Sequence, residues 1–133
     1  MTKTEVRVLC PCGSGKVFRD CCQSYLRSIS LPANAELLMR SRYTAYVLKD
    51  APYLLATWHP DTRPERLVFD EEAPPQWLGL AIKRHFQIDA HHAEVEFVAR
   101  YKINGRGFRM QETSRFERID GHWLYLDGDL ATG

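Results

Sequence analysis

A chain of 133 residues and 15.4 kDa has the length of one domain with room for a small appendage. Its 44% hydrophobic and 26% charged residues are those of an ordinary globular protein, and its net charge of +1 excludes the strong field of a dedicated nucleic-acid or membrane-surface binder. The N-terminal "MTKTEVRVLC" lacks a signal-peptide apolar run and no stretch reaches transmembrane length, so a cytoplasmic address without a membrane partner is expected.

The first element in chain order is "CPCGSGKVFRDCC", residues 10–22, which holds all four cysteines. Its "GSGK" is not a phosphate-binding loop. That loop needs a glycine where Cys10 stands and Ser or Thr where Val17 stands. Cys10 and Cys12 form one pair, and Cys21 and Cys22 a vicinal second pair, with eight residues between them. In a reducing compartment such a cluster favours a metal over a disulfide, and four thiolates suit one tetrahedral, closed, structural zinc ion. A Cys21–Cys22 redox pair and inert thiols are the alternatives, although no C-x-x-C redox spacing is present. Gly13 and Gly15 permit the turn between the pairs, and Arg7, Lys16 and Arg19 would offset the thiolate charge. The segment resembles the SEC-C motif, the zinc-binding stretch at the C-terminus of the translocation ATPase SecA and of many other bacterial proteins. The resemblance implies Cys10, Cys12, Cys21 and Cys22 as ligands, and it implies contact with proteins.

Beyond a spacer, two helices are expected. Asn34 is a plausible N-cap for the first, with Leu37, Leu38, Ala45, Tyr46 and Leu48 as its apolar stripe and Arg40 and Arg42 on a solvated face. Asp50 and Pro52 close it and open a second helix that buries Leu54, Leu55 and Trp58. Residues 60–76 are a proline-rich acidic loop, and from Trp77 the period changes to two. Leu78, Leu80, Ile82, Phe86 and Ile88 then share a strand face with Arg84, and His85 falls on the opposite face. Val95, Phe97, Ala99, Tyr101 and Ile103 share a face of the next strand. Phe108, Met110, Glu112, Ser114 and Phe116 share a face of the third. Asn104-Gly105 and Asp120-Gly121 are hairpin turns, and "HWLYLDG" is the last strand. Helices followed by an antiparallel meander make an α+β fold, with the helices packed on a curved sheet. The division is a zinc segment over residues 1–30 and an α+β domain over residues 31–133.

"LMRSRYTAYVLKDAPYLLATWHP", "WLGLAI", "FVARY" and "SRFERIDGHWLYLDG" together resemble the YchJ family of bacterial metal-binding proteins. The resemblance implies a domain like nuclear transport factor two, a cone of curved sheet and helices around a pocket. Relatives often carry a second C-terminal cysteine motif, whereas this sequence ends "DGDLATG".

Tyr43, Tyr46, Trp58, Trp77, Arg84, Glu112 and Ser114 are the residues expected to line such a pocket, with Tyr53 nearby. Glu112 and His59 are the candidates for acid-base catalysis, while an ion pair between Glu112 and Arg84 would give the carboxylate a structural role. Asp61, His85, His91 and His92 read as turn or surface groups. The leading expectation is a binding or interaction module for a protein partner or small ligand. A small-molecule isomerase, dehydratase or hydrolase using the cone is the second. Single-stranded nucleic acid or ribosome contact through Lys16, Arg19 and Arg27 is the third, and the open sheet face is a candidate homodimer surface.

Overall fold

In a computed structural model, which describes residues 8–69 and 71–131, a short metal-loop segment leads into helices laid on one face of a four-stranded sheet. Arg7 lies outside the described residues. The segment carries a 3-10 turn at Phe18–Asp20 and the five-residue helix α1, Cys22–Leu26. Helix α2 spans Ala35–Leu48, α3 spans Ala51–Ala56, and the strands are β1 Gln76–Gln87, β2 His92–Ile103, β3 Arg106–Ile119 and β4 His122–Leu130. They pair antiparallel in the order β1-β2-β3-β4. Asn104 and Gly105, like Asp120 and Gly121, take positive φ, the conformation a two-residue hairpin of this kind requires.

Local chemistry sets the helix ends. Asn34 Oδ1 accepts from the Leu37 N–H at 2.9 Å, and Lys49 ends α2 at φ 58°. Asp50 Oδ1 then caps α3 through the Tyr53 N–H, with Pro52 in the first turn, where its missing N–H costs nothing. The second helix is shorter than expected. It stops at Ala56, and residues 57–59 instead lie along β4, where Tyr125 N donates to Thr57 O and His59 N donates to Tyr125 O.

The core joins Ala35, Leu38, Met39 and Tyr43 of α2 to Leu80, Val95, Phe97, Ala99, Phe116 and Trp123 of the sheet. The faces of β2 and β3 follow the expected alternation, but β1 does not. Register shifts at Leu78 and Lys83 break the period of two twice. Trp77, Leu80, Ile82 and His85 therefore oppose the inward residues Tyr101, Ala99, Phe97 and Val95. Leu78, Phe86 and Ile88 are exposed instead of buried. His85 turns inward, and its Nε2 is buried without a hydrogen-bond partner among the described residues. Arg84 turns outward, 73% exposed, and its Nε lies 3.3 Å from Glu96 Oε1.

Helix α2 also departs from the simple stripe. Leu48 is exposed, while Ser41, Arg42 and Thr44 are buried. The sheet, α3 and the metal-loop segment cover it from different sides.

Candidate metal centre and cavity

The loop between the cysteine pairs is closed by its own backbone. Cys10 N donates to Lys16 O at 2.8 Å and Phe18 N donates to Val8 O at 2.8 Å. Gly13 has φ 80°, and a Cβ there would stand 2.8 Å from the Leu80 carbonyl oxygen, so only glycine lets the loop lie on β1. This turn brings Cys10, Cys12, Cys21 and Cys22 together, with all four sulfurs within 4.8 Å of one another. Cys12 Sγ and Cys21 Sγ are 3.6 Å apart. A tetrahedron with metal–sulfur bonds of about 2.3 Å has sulfur–sulfur edges of about 3.8 Å. The donor set fits a metal ion with little adjustment.

Three of the four thiols are buried, and Cys21 is the partly exposed one. Cys10 is drawn toward the thiolate because the Cys12 and Cys22 thiols donate to it, and those contacts to Cys10 and Cys12 push Cys22 upward. Burial raises Cys21, opposed by the Ser14 hydroxyl 3.2 Å away. Such crowding of acidic protons is the arrangement a divalent cation relieves, since it binds thiolates and releases the protons.

Helix α2 holds the cluster from behind. Arg40 Nη1 donates to Cys12 O at 2.7 Å, its Nε pairs with Glu36 Oε2 at 3.2 Å, and Thr44 Oγ1 lies 3.6 Å from Cys10 Sγ. Sequence reasoning passed over Ser14 and Thr44 and placed Arg40 on a solvated face. Lys16, Arg19 and Arg27 are exposed, and Arg19 lies within 4.0 Å of Asp20.

On the far side of α2 is a cavity of about 290 Å³. The helix lines it with Met39, Arg42, Tyr43 and Tyr46, and Trp58 and Trp77 add to its walls. The sheet supplies Phe97, Ala99, Met110, Glu112, Ser114 and Tyr125. Of the expected lining residues, Tyr43, Tyr46, Trp58, Trp77, Glu112 and Ser114 meet there, and Arg84 does not. Tyr53 is turned away, its hydroxyl 2.7 Å from Ser41 Oγ.

The positive group in the cavity is Arg42, 3% exposed. Its Nη1 donates to Leu54 O at 2.8 Å and Thr57 Oγ1 at 2.6 Å, tying α2 to the end of α3. Its Cζ is 5.0 Å from the Trp58 ring and 4.7 Å from the Tyr125 ring. Burial lowers its pKa from the usual arginine value, partly opposed by the Tyr46 and Tyr125 phenols. Two-residue spacing from the exposed-looking Arg40 concealed this burial.

Glu112 is not paired with Arg84. Its Oε2 accepts from Ser114 Oγ at 2.7 Å, and its carboxylate rests where a Cβ on Gly128 would be. His59 is buried outside the cavity. Its Nε2 is 2.9 Å from Glu117 Oε1, and its Nδ1 accepts from the Asp61 N–H at 3.0 Å, so it secures the 57–61 loop to β3. Asp61 projects into solvent, and His92 Nδ1 pairs with Asp89 at 2.9 Å.

Two family models match this arrangement of metal loop and cone. The SEC-C motif matches residues 8–24, and the YchJ middle NTF2-like domain matches residues 34–128, which is most of the chain. The chain belongs to the YchJ family. This YchJ-family chain is 54% identical over 132 residues to a UPF0225 protein of Ralstonia nicotianae, covering 92% of this chain and 91% of that one. A UPF0225 protein of Chromobacterium violaceum is 51% identical over 134 residues and 98% of both chains. The solution structure of a SEC-C motif containing protein from Rhodopseudomonas palustris superposes with a TM-score of 0.81 at 34% identity, covering 92% of this chain and 98% of that chain. A crystal structure of another from Psychrobacter arcticus gives 0.73 at 26% identity over 93% and 83% of the two chains. The YchJ-family fold is thus the α+β, NTF2-like cone with an N-terminal SEC-C segment. Among the described residues no helix is long and apolar enough to cross a membrane.

Proposed function

We propose that this protein binds a small molecule in its cone and that its four cysteines hold one structural zinc ion. The observation that carries the first half is the state of the cavity: about 290 Å³ stays open, with Trp58 and Trp77 among its walls and a few polar residues in a mainly apolar lining. A pocket plugged by those rings would instead have favoured a module that works only through its surface. The second half rests on a four-thiol donor set with three members buried, which leaves no open position for a substrate water. The zinc segment then serves to hold α2 and β1 in place. A second reading, an enzyme with Glu112 as acid or base, is favoured by one feature: the carboxylate lines the cavity and is engaged by the Ser114 hydroxyl, with no cation paired to it among the described residues.

The test has two arms. Elemental analysis of protein purified without added metal, with thiol titration before and after chelation, should give about one zinc per chain and four thiols masked until chelation. Metal-free protein with a Cys21–Cys22 disulfide would make the cluster a redox element. For the cone, a thermal-shift screen of small aromatic and apolar compounds should find stabilising ligands for the native chain that are lost in Ala99→Leu, which fills the cavity. Hits that persist in the filled variant, or none at all, would overturn the ligand-binding reading.

A further inference from the structure

Beside the cone lie a buried donor that the protein leaves without an acceptor and a buried cation that it leaves without a counter-charge. Trp58 Nε1 is buried and has no partner among the described residues. Arg42 is buried, with hydrogen bonds to Leu54 O, Thr57 Oγ1 and the Tyr46 side chain, and among the described residues no carboxylate forms an ion pair with it. A buried indole N–H ordinarily finds a carbonyl, and a buried guanidinium ordinarily finds a carboxylate, because each unpaired group forfeits its hydration. Cation–π contact with Trp58 and Tyr125 returns only part of that loss. The two groups are also neighbours. The Arg42 Cζ and the two ring centroids form a triangle with sides of 5.0, 4.7 and 5.2 Å.

The remaining walls specify the body of a ligand. Tyr43, Tyr46, Trp77 and Phe97 make an aromatic enclosure, and Met39 and Met110 are deformable apolar contacts. At the ~30 Å³ that one liquid water occupies, the volume admits roughly ten non-hydrogen atoms. Glu112 lies on the β3 wall, fixed by Ser114 Oγ, and its charge disfavours a second acidic group on that side. Resting on the ligand-binding reading above, we propose that the cone takes a small monocyclic aromatic monocarboxylate, with its ring among the aromatic walls and its carboxylate received by Arg42 and the Trp58 indole N–H. Entry of that carboxylate would restore to Arg42 the counter-charge that burial among rings denies it.

The experiment is a titration of the ¹⁵N-labelled full chain, following the indole N–H resonances of Trp58, Trp77 and Trp123. The probes are phenylacetate, 2-phenylethanol and phenethylamine, which share a ring and differ in charge. Phenylacetate should shift the Trp58 resonance saturably and bind at least tenfold more tightly than the alcohol, with the amine weakest. Arg42→Met should bring the acid down to the level of the alcohol. Because Arg42 also secures α3, Glu112→Gln provides an independent check: it should tighten the acid severalfold more than it changes the alcohol. Equal binding of acid and alcohol, or preference for the amine, would overturn the anion assignment while leaving ligand binding intact. Silence from all three would overturn it as well, and the ligand-binding reading would then stand or fall on the thermal-shift screen.

Discussion

Gly13 and Gly15 lie two positions apart in the metal loop with nearly the same backbone angle, φ 80° and 85°, yet their surroundings differ. Around Gly15 a Cβ would meet nothing within 4 Å, whereas at Gly13 it would stand 2.8 Å from the carbonyl oxygen of Leu80. Alanine at either position accepts a left-handed conformation at a cost of about 1–2 kcal/mol. At Gly13 the loop must also lift off β1 or distort it, an overpacking cost of about 1–3 kcal/mol. If the loop holds the proposed zinc ion, binding it and folding the loop are one equilibrium, and these costs appear as lost metal affinity, tenfold for each ~1.4 kcal/mol. Competition against a chromogenic chelator should therefore show a loss of about tenfold for Gly15→Ala and on the order of a hundredfold or more for Gly13→Ala. Equal losses would refute the argument, because they would mean that the contact with Leu80 contributes nothing to holding the segment. A larger loss at Gly15 would refute it more directly.

Removing the metal by chelation should release the N-terminal segment and leave the sheet folded, because the main core contains no cysteine. Tryptic cleavage at Lys16 and Arg19 should accelerate while the far-UV signal of the strands persists, and collapse of both together would contradict this. Gly128→Ala should displace the Glu112 carboxylate, a movable group, and so change ligand binding while costing less than ~1 kcal/mol in urea unfolding. Burial pushes Tyr43, Tyr53 and Tyr125 up to about 12. Their phenols ionise near 10 when unfolded, so the stability they contribute is complete below pH 10 and lost between pH 10 and 12. A urea midpoint that stays level across that interval would show that these hydroxyls reach water.

The sequence made the cysteine cluster legible because its members are local: four cysteines within thirteen residues can hardly avoid one another. The hairpins were equally plain, since Asn104-Gly105 and Asp120-Gly121 meet the positive φ that the turns impose. The face of β1 was not. One extra residue at Leu78 and another at Lys83 reverse the alternation twice, which sends Arg84 out to Glu96 and His85 in toward the core. Nothing in a period-two reading marks either residue as a bulge. Arg42 was hidden for a related reason. An apolar stripe shows which side of a helix meets the sheet, but it does not show that α3 and the metal loop will cover the rest.

Helix α2 makes the metal centre and the cavity parts of one arrangement. At 3.6 residues per turn, Arg40 and Thr44 stand almost above one another, while Arg42 lies on the opposite side of the helix. Arg40 and Thr44 accordingly face the cysteine loop, and Arg42 faces the aromatic cavity. The metal loop has little core of its own, since its buried cluster is the cysteines, to which Phe18 adds a partly buried ring. Without a metal to join its two halves, such a segment has too little apolar surface to hold itself against α2. With the proposed metal bound, it would pack along the helix through the Arg40 and Thr44 contacts and favour the rotation that aims Arg42 at Trp58 and Tyr125. A half-turn of α2 would instead bury Arg40 against the rings and expose the cysteine loop to water, so the metal site would stabilise the one orientation in which the cone keeps its positive end.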